Sequence, residues 1–140
     1  MKPEKPKVVL DTNIIVSAAI SADGNPAKIF ELLLENKIVN YTTLEILNEV
    51  EDVLDRPFFK KHIDENYRKF MVKNLQKNSF IIDPKFFENA VEKDSKDDKF
   101  LNCALSANAD VISGDKHLLE LKSYKNVKIL AAKEFLDKFE

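Results

Sequence analysis

Apolar residues fall along this chain in two rhythms, short uninterrupted runs and longer stretches at helical spacing. Val8, Val9 and Leu10 form the first run, which stops at Asp11, after which Ile14, Ile15, Ala18 and Ala19 recur at three- and four-residue intervals. That order predicts a strand, a turn and a helix. After a polar loop from Ser21, Asn25 and Pro26 supply a cap and a preorganised first turn for a second helix. It buries Ile29, Phe30, Leu32, Leu33 and Leu34 and ends near Asn36, and Ile38 to Tyr41 predicts a second strand. Thr42 with Glu45 matches a capping box opening a helix through Leu44, Ile46, Leu47, Val50, Val53 and Leu54, which Pro57 ends. Phe58 to Lys77 is helical in pattern with a break near His62 and Asp64 placed to cap the second part. Ser79 to Ile82 predicts a third strand, closed by Asp83 and Pro84.

Beyond a polar stretch from Asp94 to Asp98, Phe100, Leu101, Ala104 and Leu105 return to helical spacing. Val111 and Ile112 begin a fourth strand, and Gly114 and Asp115 turn the chain into a short helix with Leu118, Leu119 and Leu121. Val127 to Leu130 is a fifth strand and Ala131 to Phe139 a closing helix. Strands alternating with helices predict an α/β fold whose parallel sheet is covered on both faces through right-handed crossovers. With no internal repeat or low-complexity segment, residues 1–6 read as a tail and 7–140 as one domain.

Composition narrows the class. Of 140 residues 44% are hydrophobic and 33% charged, outside the regime of disorder. No stretch approaches the roughly 20 apolar residues of a membrane helix, and Met1 to Lys7 lacks a signal-peptide pattern, so a cytoplasmic protein without membrane association is expected. Cys103, the only cysteine, excludes an intramolecular disulfide and reads as a small core residue. His62 and His117 read as loop or surface residues, with no partner at zinc-ligand spacing. A formal net charge of -2 does not hold nucleic acid by bulk electrostatics, so any such contact must be local.

Candidate chemistry lies in the acids. In an open α/β sheet, ligands bind outside the carboxyl ends of the strands. Asp11 ends the first strand and Asp115 follows the fourth, although acids at strand ends also serve as caps and turn formers. At about 100° per residue, Phe100, Leu101, Ala104 and Asn108 fall within roughly 60° of Asp97, which therefore prolongs a buried stripe. A carboxylate there is costly unless paired or metal-bound; the alternative is an acid favoured by the helix dipole, which Asp98 would serve nearly as well. Glu49 and Glu51 occupy opposite margins of the apolar face of their helix, and geometry does not choose between them.

Four segments together resemble a known family. Val8-Val9-Leu10-Asp11-Thr12-Asn13-Ile14, the helix with Glu49 closed by Leu54-Asp55-Arg56-Pro57, the run Lys96-Asp97-Asp98-Lys99-Phe100-Leu101, and Ser113-Gly114-Asp115-Lys116-His117-Leu118 occur in order over nearly the whole chain. They resemble the PIN-domain family (PilT N-terminus-like), in particular the VapC-like toxin ribonucleases of toxin-antitoxin systems. The resemblance implies a three-layer α/β/α fold with a five-stranded parallel sheet of order 3-2-1-4-5, and a metal-dependent endoribonuclease cleaving single-stranded RNA. It maps the four acids to Asp11, Glu49 over Glu51, Asp97 with Asp98 as the ambiguous neighbour, and Asp115. Thr12, Asn13 and Ser113 support them, and Asp94 matches a frequent acid of the branch, although Lys93-Asp94-Ser95 departs from its usual Arg-Asp-Pro. The resemblance also implies an antitoxin partner and a homodimer, for which apolar residues between Phe58 and Met71 offer a contact.

Mg²⁺ or Mn²⁺ suits such a set, because hard divalent ions prefer oxygen ligands and keep several waters. The bound ion lowers the pKa of a water for in-line attack on phosphorus and stabilises the leaving oxygen. Lys96, Lys99 and Lys116 are candidates for the flanking phosphates, with solvated surface lysines as the alternative. Arg56 either binds RNA or neutralises a helix C-terminus. Two rivals are a catalytically silent PIN domain that binds RNA or protein, and a receiver-like phosphoacceptor, whose paired acids Val8-Val9-Leu10 does not offer.

Overall fold

The computed structural model describes residues 4–91 and 95–139, which leaves Asp94 outside the described residues. Its strands are β1 (Lys7–Leu10), β2 (Val39–Thr42), β3 (Ser79–Ile81), β4 (Asp110–Ile112), β5 (Ser123–Tyr124) and β6 (Val127–Leu130). Its α-helices are α1 (Thr12–Ile20), α2 (Asn25–Leu34), α3 (Leu44–Leu54), α4 (Pro57–His62), α5 (Glu65–Lys77), α6 (Asp98–Ala107), α7 (Lys116–Leu121) and α8 (Ala132–Lys138). The strands form one sheet of order β3-β2-β1-β4-β6-β5, parallel except for the last pair.

The expected α/β fold, with helices flanking a mostly parallel sheet, is borne out, and the predicted fifth strand is β6. The sheet has a sixth strand that the hydrophobic pattern does not show. β5 has only two residues and runs antiparallel to β6, with Tyr124 opposite Val127. The intervening turn holds Lys125 at φ 55°, a left-handed conformation usually taken by Gly or Asn, so no turn signal marks it.

β1 lies at the middle of the sheet because its neighbours bury it on both faces; Val8, Val9 and Leu10 are all buried. α6 packs across β1, β2, β4 and β6, while α1 packs against α2, α3 and α5. Cys103 sits within this core, and burial pushes its thiol up to about 12. Asn40, buried on β2, accepts from the Leu10 amide at 3.0 Å and donates to Ser79 Oγ at 2.9 Å. This tie fixes the carboxyl end of β1, from which Asp11 emerges.

Helix boundaries follow local chemistry with two departures. Thr42 is a buried residue of β2, and Thr43 is the cap of α3, its hydroxyl accepting from the Ile46 amide at 3.1 Å. Asn108 ends α6 at φ 56° and so drops out of the stripe through Asp97. The break near His62 is present, with Asp64 capping α5 through the Asn66 amide.

Between β3 and α6 the chain crosses residues 82–91 as an extended strap held by one stripe of α6. Ser106 Oγ accepts from the Lys85 amide at 2.8 Å, Asn102 exchanges hydrogen bonds with the Glu88 amide and carbonyl, and Asp98 Oδ1 accepts from the Val91 amide at 2.7 Å. The Glu88 carboxylate in turn accepts from Lys125 and Tyr124, hydrogen bonds that hold it below its ordinary pKa.

Candidate active site

Asp11 follows the last residue of β1 and caps α1, with its Oδ1 accepting from the Ile14 amide at 2.9 Å. Its Oδ2 accepts from the Ser113 hydroxyl and from the Gly114 amide at 3.2 Å. Only 1% of Asp11 is exposed, and burial raises its carboxyl to about 6 against the lowering effect of these three donors, with the negative charge of Asp115 adding to the rise. The site residue is thus also a cap and a buried tie between two strand ends.

Ser113, itself buried just after β4, joins Asp11 to the next acid. Its hydroxyl donates to Asp11 and accepts from the Asp115 amide at 2.8 Å. Asp115 caps α7 with Oδ1, which accepts from the His117 and Leu118 amides at 2.8 and 3.2 Å. Parallel pairing of β1 with β4 puts these two acids on one rim, because the strands end side by side with Leu10 opposite Ile112.

Asp97 closes the rim from the short turn Ser95–Asp97 that leads into α6. It is buried and lines the same cleft as Asp11, Glu49 and Asp115, together with Thr12, Asn13, Val53, Arg56, Lys96 and Phe100. The cleft measures about 490 Å³. Asp98 does not line it; its carboxylate is spent on the strap. Glu49 faces the cleft from α3, and Thr12 Oγ1 donates to its Oε1, whereas exposed Glu51 borders a separate depression between α3 and α5. Both ambiguities of the sequence pattern are therefore separated geometrically.

Carboxylate atoms of Asp97 and Asp115 and a ring nitrogen of His117 lie within 4.8 Å of one another. An ion with ligands at about 2 to 2.6 Å fits between donors so spaced. Asp11 and Glu49 share the cleft but are not of this group, so the four acids are not equivalent. His117, read from the sequence as a loop or surface residue, is half-buried beside two acids. The missed signal was its position two residues after Asp115, which puts its ring at the mouth of the helix that Asp115 caps.

The basic residues divide. Lys96 and Arg56 are exposed on the cleft wall, and Lys116 is exposed at the start of α7. Arg56 lies beyond the Asp55 cap of α3, and its guanidinium makes no hydrogen bond or ion pair among the described residues. Lys99 departs from the reading as a phosphate-facing or solvated surface lysine, because its ammonium is ion-paired with Glu49 at 2.5 Å and its side chain is only 10% exposed.

A PIN-domain family model matches residues 7–117, the span that carries all of these site residues. The chain belongs to the PIN-domain family. Uncharacterized protein MJ1680 of Methanocaldococcus jannaschii is 37% identical to it over 149 aligned positions, covering 100% of this chain and 96% of that protein. Among solved structures, PAE2754 from Pyrobaculum aerophilum superposes with TM-score 0.66 at 13% identity over 95% of this chain and 88% of its own. VapBC2 from Rickettsia felis, bound to a DNA fragment from its promoter, gives 0.57 at 16% identity over 89% and 98%. At these identities the structural likenesses establish the fold. PIN domains are typically nucleases, and in this one two acids of the cleft, Asp11 and Asp115, stand beyond the carboxyl ends of β1 and β4, the edge where α/β folds place their chemistry.

Proposed function

We propose that this PIN domain is a divalent-metal endoribonuclease that cleaves single-stranded RNA in the cleft between Asp11, Glu49, Asp97 and Asp115. The observation that carries the reading is the convergence of Asp97, Asp115 and His117 at ligand spacing beside a buried Asp11. Those three residues would hold the ion. The carboxylates suit Mg²⁺ or Mn²⁺, and the imidazole weights the choice towards Mn²⁺. A bound ion supplies Lewis acidity and a nucleophilic water at neutral pH.

The chain's own groups do the rest. Asp11 would add buried negative charge to the site, and Ser113 links its carboxylate to the Asp115 backbone. Thr12 orients Glu49, while exposed Asn13 borders the cleft. Arg56, Lys96 and Lys116 are positioned for the phosphates flanking the scissile bond. A cytoplasmic location is part of the proposal, as is typical of PIN toxins, and no helix among the described residues is long and apolar enough to cross a membrane. The VapBC2 likeness motivates a toxin role with an antitoxin partner, and the exposed Phe58, Tyr67 and Phe70 motivate a homodimer.

The test is cleavage of varied single-stranded RNAs with Mn²⁺, with Mg²⁺ and with chelator. Metal-dependent products are expected, with Asp97→Asn and Asp115→Asn each losing about 100-fold or more in rate. Tight RNA binding without metal and without cleavage would instead identify a silent binding module.

A further inference from the structure

Lys99 is the second residue of α6, a place where a cation opposes the helix dipole and gains nothing for the helix. Its ammonium is nonetheless drawn inward. It pairs with Glu49 Oε2 at 2.5 Å, donates to the Lys96 carbonyl and lies 5.1 Å from the centre of the Phe100 ring. Burying an ammonium is costly unless a counter-charge and acceptors receive it, and Glu49 with Lys96 O provides both. Glu49 is engaged from its other side as well, since Oε1 accepts from Thr12. Both oxygens of the helix acid are thus already engaged by groups of this chain, and one of those groups is a full positive charge.

That arrangement divides the cleft. At one end Asp97, Asp115 and His117 offer converging ligand atoms. At the other, an ion approaching Glu49 would have to displace the ammonium or sit within a few ångströms of it, against direct charge repulsion in a partly desolvated site. Two-metal nuclease sites hold their ions about 3.5–4 Å apart, and here an ammonium already pairs with the helix acid.

We propose that Lys99 is a resident cation at Glu49, a positioning residue that restricts the cleft to one divalent ion at the Asp97, Asp115 and His117 end. The inference rests on the metal-dependent reading of the cleft. Glu49 then serves by anchoring Lys99 and Thr12 at the cleft wall.

The experiment is calorimetric and paramagnetic-resonance titration of the purified protein with Mn²⁺ alone, without RNA. Wild type should bind one Mn²⁺, Asp97→Asn should lose it, and Glu49→Gln should still bind one. Lys99→Met, which is one atom shorter and removes the charge, should admit a second, weaker Mn²⁺ that the Lys99→Met, Glu49→Gln double variant loses. Lys99→Arg keeps the charge and should retain the single ion, and circular dichroism with a thermal melt establishes that the methionine variant is folded. Two ions in wild type, or a single ion in folded Lys99→Met at any affinity, would overturn the inference and leave the metal site standing. No Mn²⁺ bound by wild type would overturn the metal reading and this inference together.

Discussion

Asp11 shows how one side chain can be both scaffold and chemistry. It caps α1, ties β1 to the loop after β4, and stands in the acidic cleft. Its carboxyl is raised by burial from 3.8 to about 6, so between those values the folded chain holds the proton more tightly than the unfolded chain. The associated stability is full below about pH 4 and is lost as pH rises through about 6. In chelator, wild type should therefore lose about 2 kcal/mol relative to Asp11→Asn between pH 4.5 and 7. Urea unfolding midpoints of the two proteins across that range measure the difference, and parallel profiles would show that Asp11 titrates as an ordinary carboxyl. The substitution has its own cost at low pH, since an amide cannot accept from Ile14, Ser113 and Gly114 on both of its ends.

At the scale of elements, the start of α6 and the turn before it perform two tasks with neighbouring acids. Asp97 turns to the cleft, while Asp98 begins the stripe with Asn102 and Ser106 that carries the strap over residues 82–91. Helical geometry separates them, because adjacent residues point about 100° apart. Asp98→Ala and Asn102→Leu should each destabilise the fold by about 1–3 kcal/mol, by leaving strap amides without acceptors, and should expose the strap to limited proteolysis. Asp97→Ala should leave the proteolysis pattern unchanged and lower Mn²⁺ affinity. Equal loss of Mn²⁺ affinity in Asp98→Ala and Asp97→Ala would contradict this division.

For the whole molecule, a net charge of -2 and an acidic cleft oppose an RNA backbone unless metal reverses the local sign. RNA binding to the Asp97→Asn variant is a poor probe, since that change removes a ligand from the group with Asp115 and His117. Wild type with Ca²⁺ should bind single-stranded RNA about tenfold or more tightly than in chelator at constant ionic strength. Equal affinity under both conditions would locate the RNA on a remote surface. The exposed aromatic rings Phe58, Tyr67 and Phe70 on α4 and α5, of which Tyr67 and Phe70 stack, are the surface proposed for a homodimer contact. Sedimentation should give a dimer for wild type and a monomer for Tyr67→Ser with Phe70→Ser; a wild-type monomer would remove the dimer from the proposal.

Much of this protein was legible in its order of residues, because the information is local. Apolar runs and helical spacing placed β1, β4, β6 and the main helices, and an acid following an apolar run placed Asp11 and Asp115 at strand ends. Parallel pairing of β1 with β4 then brings them together by register alone. What local pattern could not carry was side-chain direction and pairing across the fold. Asp97 and Asp98, or Glu49 and Glu51, satisfy the same one-dimensional pattern, and only packing sends one of each pair into the cleft and the other to the strap or the solvent. The two-residue β5, turned through a lysine at positive φ, has no periodicity to read. His117 joins the acids, and Lys99 leaves the surface for Glu49, through contacts between residues distant in sequence or on separate elements. Charge pairing and burial are properties of three-dimensional neighbourhoods, so the tertiary structure alone decided which cations stay exposed at the cleft and which one is paired with Glu49.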